Sequence, residues 1–219
     1  MVRQSSVMDI ISPIMVGPSS SHTAGAVRLG ILAKNIYNKK PQKVIFRLYN
    51  SYSLTGKGHG TDKGLLAGVL GFGVDDARIR NIFDMDVGIE YDFEFTEDFN
   101  RHPNAVDIIF EGDLNMKIEG DSVGAGRVVI RKINEFSVKF TGQYNTLLLV
   151  CKDVPGMISR ITGLIQNVNI TSLHCDRQVR GEEASMSICL DGDLDEKAIK
   201  IFERLENLYL VRYVEKLGS

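Results

Sequence analysis

Two stretches in the first third of the chain place a histidine among hydroxyls and glycines. They are Gly17-Pro18-Ser19-Ser20-Ser21-His22-Thr23-Ala24-Gly25 and Ser53-Leu54-Thr55-Gly56-Lys57-Gly58-His59-Gly60-Thr61-Asp62. Each sits ahead of an apolar run patterned as a helix. A loop leading into a helix offers unpaired backbone N–H groups and the positive end of the helix dipole, a place for a carboxylate or a phosphate. An imidazole there adds a group that moves protons near neutral pH. The pair predicts a site for a small polar anion, with His22 and His59 as the proton-transfer candidates. Ser19, Ser20, Ser21, Thr23, Thr55, Gly56 and Lys57 are the candidate substrate contacts. Lys57 could hold a carboxylate or, as a neighbouring cation, disfavour the His59 imidazolium. Residue types alone do not say which histidine is the base. The triple serine also reads as a plain N-cap cluster, and Thr61-Asp62 as a cap. Neither the Walker spacing G-x-x-x-x-G-K-[ST] nor a G-x-S-x-G elbow occurs.

The elements that must position these residues follow from periodicity. Ala24, Val27, Ile31, Leu32 and Ile36 recur at helical spacing up to about Asn38, and Lys39-Lys40-Pro41 stops that helix. Val44, Phe46 and Leu48 alternate with Lys43, Ile45, Arg47 and Tyr49 as a half-buried strand. The second histidine is expected in the loop after it, before a helix through Leu65, Leu66, Val69 and Leu70 that ends at Gly71-Phe72-Gly73. A short helical turn is expected at Asp75–Arg80 and a strand within Val87–Thr96. A strand pair, Ala105–Phe110 and Leu114–Glu119, precedes the glycine-rich turn Ser122-Val123-Gly124-Ala125-Gly126. Strands Arg127–Asn134 and Ser137–Thr141 complete this part. His102, between Arg101 and Pro103, is expected in an exposed turn.

Beyond Gly142-Gln143-Tyr144-Asn145 the pattern changes. Thr146–Cys151 is a continuous apolar strand, and Asp153-Val154-Pro155-Gly156 is a turn opening a helix with Ile158, Ile161, Leu164 and Ile165 on one face. Ile170–Gln178 and Ala184–Leu190 form a hairpin about Arg180-Gly181-Glu182, with His174 a packed or edge residue. A helix starting at Asp193-Leu194-Asp195-Glu196, carboxylates at its positive end, turns Leu194, Ala198, Ile201, Phe202 and Leu205 inward. Leu208–Val214 closes a β-α-β-β-α-β unit, a ferredoxin-like plait of ~70 residues.

Composition bounds the rest. With 219 residues, 43% of them hydrophobic, the chain can bury one large or two modest cores. A net charge of −2 gives no pull toward nucleic acid. No apolar run approaches the ~20 residues of a membrane-spanning helix, and Met1–Ser6 lacks the apolar stretch of a secretory signal. The expectation is a cytoplasmic protein that binds neither nucleic acid nor membrane. Cys151, Cys175 and Cys189 are odd in number without C-x-x-C spacing, and read as small buried hydrophobes in strands; no metal site is expected in this chain.

The C-terminal unit resembles the ACT domain, on Asp153-x-Pro155-Gly156 before its first helix and Val168-Asn169-Ile170 at the entry to its second strand. That resemblance implies pairing with a second copy and an amino-acid effector held by Asp153, Pro155, Gly156, Met157, Asn169 and Ile170. The two histidine stretches, with Ser122–Gly126, resemble the beta chain of iron–sulfur-dependent L-serine dehydratases across the whole chain. The resemblance implies an α+β fold: an allosteric-substrate-binding-type domain over residues 1–142 and an ACT domain over 145–219. It also implies an alpha subunit whose cysteines hold a [4Fe–4S] cluster, and conversion of L-serine to pyruvate and ammonia without pyridoxal phosphate. In this family His59 is favoured as the base that takes the α-proton, with His22 orienting substrate or relaying a second proton. The alternative is an amino-acid-sensing regulatory subunit with no catalytic residues of its own.

Overall fold

The alternation of Val44, Phe46 and Leu48 produces the strand around which the first unit is built. The computed structural model describes residues 15–177 and 179–218; Gln178 and the N-terminal residues weighed as a secretory signal lie outside them. The chain is α+β with two sheets and divides after Ile130 into two units. In the first, β1 (Lys43–Tyr49), β2 (Glu90–Thr96), β3 (Ala105–Glu111), β4 (Met116–Gly124) and β5 (Arg127–Ile133) lie in the order β2-β1-β3-β4-β5. β1 pairs parallel to β2 and antiparallel to β3. The register sets Val44 opposite Phe110, Phe46 opposite Ile108 and Leu48 opposite Val106, so one apolar face is continuous across the strands. The other face carries a buried ionic group. Arg101 bridges Asp107 at 2.8 Å and Glu119 at 3.4 Å, and the Tyr49 hydroxyl donates to Asp107 at 2.9 Å.

Two helices, α1 (Gly25–Tyr37) and α3 (Thr61–Leu70), pack against each other through small residues. A Cβ on Gly68 would strike the Val27 carbonyl and come within 2.8 Å of Gly30, and one on Gly64 would meet Ala26 at 3.0 Å. Gly64 thus faces Ala26 and Gly68 faces Gly30 at the same sequence offset, so the helices run side by side in one direction. Their beginnings are thereby neighbours, and each beginning follows a histidine. Gly120 on β4 leaves the room that Leu29 of α1 fills.

The main departure from the sequence reading lies between β1 and α3. Residues Asn50–His59 form a helix, α2, rather than a loop, and His59 is its last residue. Intrinsic propensity argues against a helix containing Gly56, Gly58 and three Ser or Thr residues. Tertiary contacts override it. Asn50 opens the helix at φ 50, its amide donating to the carbonyls of Asp98 and Arg101 and accepting from Asp98 N–H, while Tyr52 is fully buried. Gly60 at φ 70 joins α2 directly to α3. A 3₁₀ segment, Ala77–Asp84, follows α3 where a short turn is expected.

The second unit contains β6 (Phe136–Phe140), β7 (Asn145–Lys152), α4 (Met157–Thr162), β8 (Ile170–Arg177), β9 (Glu183–Leu190), α5 (Glu196–Glu203) and β10 (Leu208–Val214). Strands β10-β7-β9-β8 make an antiparallel sheet with the expected ferredoxin-like order. The unbroken apolar run of β7 has a cause: both its faces are buried. Leu147, Leu149 and Cys151 join Ile161, Ile188 and Phe202 in the core, and Leu148 and Val150 are also covered. Ser185 and Ser187 of β9 are buried and bond to β6, at Ser137 O (2.7 Å) and Lys139 N–H (3.4 Å).

Three details of the inward faces differ from expectation. Ile158 is 46% exposed and Met157 takes its place in the core, because α4 is only six residues long and its buried ridge runs through Met157, Ile161 and Ile165. Ile201 is 50% exposed, one step around α5 from the buried Phe202. Cys175 is exposed on the edge strand β8, whereas Cys151 and Cys189 are buried. His174 is half-buried on that edge strand, and His102 is half-buried with Nδ1 accepting from Asn104 N–H. Among the described residues no helix is long and apolar enough to cross a membrane.

Candidate active site

The sequence Ser20–Ala24 forms one π-helical turn that runs straight into α1. Ser19 caps it: its side chain accepts from His22 N–H at 3.2 Å and its carbonyl from Thr23 N–H at 2.8 Å. Those N–H groups are therefore engaged, and the anion cradle expected of a free loop is not what this stretch offers. At the second stretch the correction is larger. His59 lies at the C-terminal end of α2, where carbonyls rather than N–H groups are exposed.

The two imidazoles nonetheless meet. Their ring centroids are 5.0 Å apart, and the His22 ring also lies 5.2 Å from Tyr52. The contact is tied from both sides. Thr23, next to His22, donates its hydroxyl to the His59 carbonyl at 2.8 Å. Thr55, one helical turn before His59, has its hydroxyl 3.3 Å from His22 Nε2 and its carbonyl 3.1 Å from His59 Nδ1.

These bonds fix the tautomers. The Thr55 hydroxyl donates its single proton to Ser51 O at 2.8 Å, so toward His22 it can only accept. His22 Nε2 is then the N–H, and Nδ1 carries the lone pair. That Nδ1 is buried without a hydrogen-bond partner among the described residues. Burial, followed by the neighbouring His59, holds the His22 pKa below the usual histidine value, which favours the neutral ring. On His59, an exposed residue, the carbonyl of Thr55 can only accept, so Nδ1 is the N–H and Nε2 presents the lone pair. A ring oriented by one nitrogen and basic at the other is the arrangement of a general base.

The remaining candidates divide. Gly56 is buried against Leu48 and Thr61, where a side chain would crowd both. Lys57 is exposed, its ammonium 5.0 Å from the Phe95 ring centre. It also lines a cavity of about 260 Å³ with Thr23, Gly58, Gly60, Lys63 and Arg80. Among the described residues three cations and no acid line that cavity, so it suits an anion. Lys63 and Arg80 were not among the sequence candidates; both are single charges in otherwise ordinary helical stretches. Tyr52 was missed because α2 buries only Tyr52 and Gly56, too few for a periodic signal.

In the second unit, Asp153, Pro155, Gly156 and Met157 line a cavity of about 500 Å³ with Cys175, Arg177 and Arg180. Asp153 accepts from Gly181 N–H at 3.0 Å and Arg177 at 2.8 Å, and these two bonds hold its carboxyl below the usual range. Asn169 and Ile170 do not join them. Asn169 bonds to Asp191, and Ile170 begins β8 while Arg177 ends it, some ~20 Å away at strand rise. Among the described residues no three of His, Cys, Asp and Glu gather as a metal site would need.

A domain of GTP pyrophosphokinase from Chlorobium tepidum, an ACT domain, aligns at a TM-score of 0.27 and 16% identity, over 34% of this chain and 89% of that one. Residues 6–92 match the family model described as serine dehydratase beta chain. The L-serine dehydratase beta chain of Peptoniphilus asaccharolyticus is 36% identical over 96% of this chain and 98% of its own. The probable L-serine dehydratase beta chain of Bacillus subtilis is 32% identical with the same coverage of both chains. L-serine dehydratase 2 of Escherichia coli is 34% identical over 54% of this chain and 30% of its own length. Matched end to end by two such relatives, the chain belongs to the serine dehydratase beta-chain family.

Proposed function

We propose that this chain is the proton-transferring beta subunit of an L-serine dehydratase and completes an active site at its interface with an alpha subunit. The observation that carries the reading is the imidazole pair, each tautomer fixed through Thr55, beside a cavity lined by Lys57, Lys63 and Arg80. Elimination of water from L-serine removes the α-proton and the β-hydroxyl; the resulting enamine tautomerises to an imine, which water hydrolyses to pyruvate and ammonia. His59 Nε2 takes the α-proton, and the cationic cavity holds the carboxylate. His22 stays neutral and, through its Nε2–H on the Thr55 hydroxyl, keeps the pair in register so that the His59 ring is oriented. Three features support an incoming polypeptide. His59 is exposed, Leu54 beside Thr55 is 74% exposed, and Gly58 has nothing among the described residues within 4 Å of where a side chain would start. The Escherichia coli relative, in which the matched region is a minor part, supports the same division of labour.

The chain's three cysteines all lie in the second unit and do not gather into a cluster site. On this reading the [4Fe–4S] cluster belongs to the alpha subunit. Residues 145–219 serve as an ACT module that self-associates and senses an amino acid at the Asp153 loop, and residues 1–142 as the substrate-binding domain. Self-association would be needed to bring Asn169 and Ile170 of one copy to the Asp153 loop of another.

The test is pyruvate release from L-serine by the chain co-expressed anaerobically with its alpha subunit. His59→Ala should lower kcat by roughly 10²–10⁴ while the complex still co-purifies. Full activity in that variant, with a shifted response to serine, would transfer the function to the regulatory alternative.

A further inference from the structure

The π turn at Ser20–Ala24 contains one residue more than an α-helical turn would. In an α-helix the Gly25 N–H would bond to Ser21 O; here it bonds to Ser20 O. The Ser21 carbonyl instead accepts two side-chain hydroxyls from distant parts of the first unit. Tyr52 of α2 donates at 2.8 Å and Ser122 of β4 donates at 2.8 Å. Both donors are fully buried. The next residue in the chain is His22.

We propose that Tyr52 and Ser122 are positioning residues that hold the π turn by its Ser21 carbonyl and so aim the His22 ring at His59. The Tyr52 ring, 5.2 Å from that of His22, forms the wall behind it. The same contact explains two motif residues that the chemistry leaves unused. Ser122 opens the glycine-rich segment and reaches Ser21, while Arg28 of α1 donates to Gly126 O at 3.0 Å and ties that segment down. Gly25 ends the first histidine stretch because a side chain there would land on the Ser122 hydroxyl and lie 3.5 Å from that of Tyr52. Without the clamp an α-helical turn becomes available, and one residue of slip rotates His22 about the helix axis by roughly 100°. That would carry it away from Thr55.

The full-length chain, with its histidine rings labelled with nitrogen-15, is the sample for the direct test. In the wild type the His22 ring should report the Nε2–H form. Tyr52→Phe combined with Ser122→Ala should give mixed tautomers at His22 with the far-ultraviolet circular dichroism unchanged. Gly25→Ala should reproduce that signature with both hydroxyls still present. In the alpha–beta enzyme, where the inference rests on the proposed catalytic role of the pair, each single substitution should lower kcat on the order of tenfold. The double substitution should lower it on the order of a hundredfold, with KM within about twofold. An unchanged His22 ring in the double variant overturns the clamp. A disturbed ring with an unchanged kcat supports the clamp and overturns the catalytic reading of the site instead.

Discussion

The imidazole pair of the first unit and the Asp153 loop of the second are built on opposite terms. The first draws on the π turn, α2 and β4, and each ring nitrogen that carries a proton is fixed by a partner that can only accept. The second rests on one partly exposed carboxylate, held by Gly181 N–H and Arg177, at the mouth of an open cavity. The difference matches what each proposed role requires. Proton transfer depends on a lone pair pointing one way, so it needs over-determined geometry. A sensing loop must close on its ligand and reopen, so it gains from few internal ties.

Substitutions that remove one tie from each region should separate them. Thr55→Val deletes the acceptor for His22 and should lower kcat on the order of tenfold with KM little changed. Asp153→Asn, by contrast, should leave the maximal rate intact and alter only the response to an added amino acid. Equal losses of kcat in both variants would mean that the two regions serve the same step.

Glycines sharpen the comparison at the level of stability. Gly68→Ala forces a methyl group into the Val27 carbonyl at the crossing of α1 and α3 and should cost about 1–3 kcal/mol in urea unfolding. Gly58→Ala meets no neighbour among the described residues and should stabilise α2 by up to about 1 kcal/mol. A Gly58→Ala chain that is more stable alone yet fails to assemble with the alpha subunit would place the interface over α2.

Acid should weaken the first unit in part through His22. Its folded pKa lies below that of the unfolded chain, so the unfolded state binds the proton first. The stabilising contribution is complete above the unfolded value near 6.5 and declines as pH falls below it toward the folded value. Comparing urea midpoints at pH 7.5 and 5.5, His22→Gln should show a smaller loss than the wild type. An identical loss in both chains would mean that the ring does not titrate with folding.

Much of the second unit was legible in the sequence because its signals are local. The alternation in β9, the Asp195 cap on α5 and the Pro155-Gly156 turn each act within a few residues, and the β-α-β-β-α-β order follows from them. On α4 and α5 the expected Ile161, Ile165 and Phe202 are buried, but Ile158 and Ile201 are exposed, since short helices leave too little periodicity to fix the edge of a face. In the first unit the two histidines could be picked out by composition, but not their setting. A glycine-rich and hydroxyl-rich stretch carries no helix signal, so α2 appears only because Asn50 and Tyr52 find partners far away in the chain.

The sequence by itself determined which groups would be present: two imidazoles, their hydroxyl neighbours, and glycines close enough in spacing to let α1 and α3 touch. Only the tertiary structure decided that His59 ends a helix instead of preceding one, that Thr55 reads both rings, and that Tyr52 and Ser122 share one carbonyl. The physical reason is that a proton's location on an imidazole depends on which acceptor lies within about 3 Å. That acceptor comes from a residue more than thirty positions away for His22, a distance over which no local propensity acts.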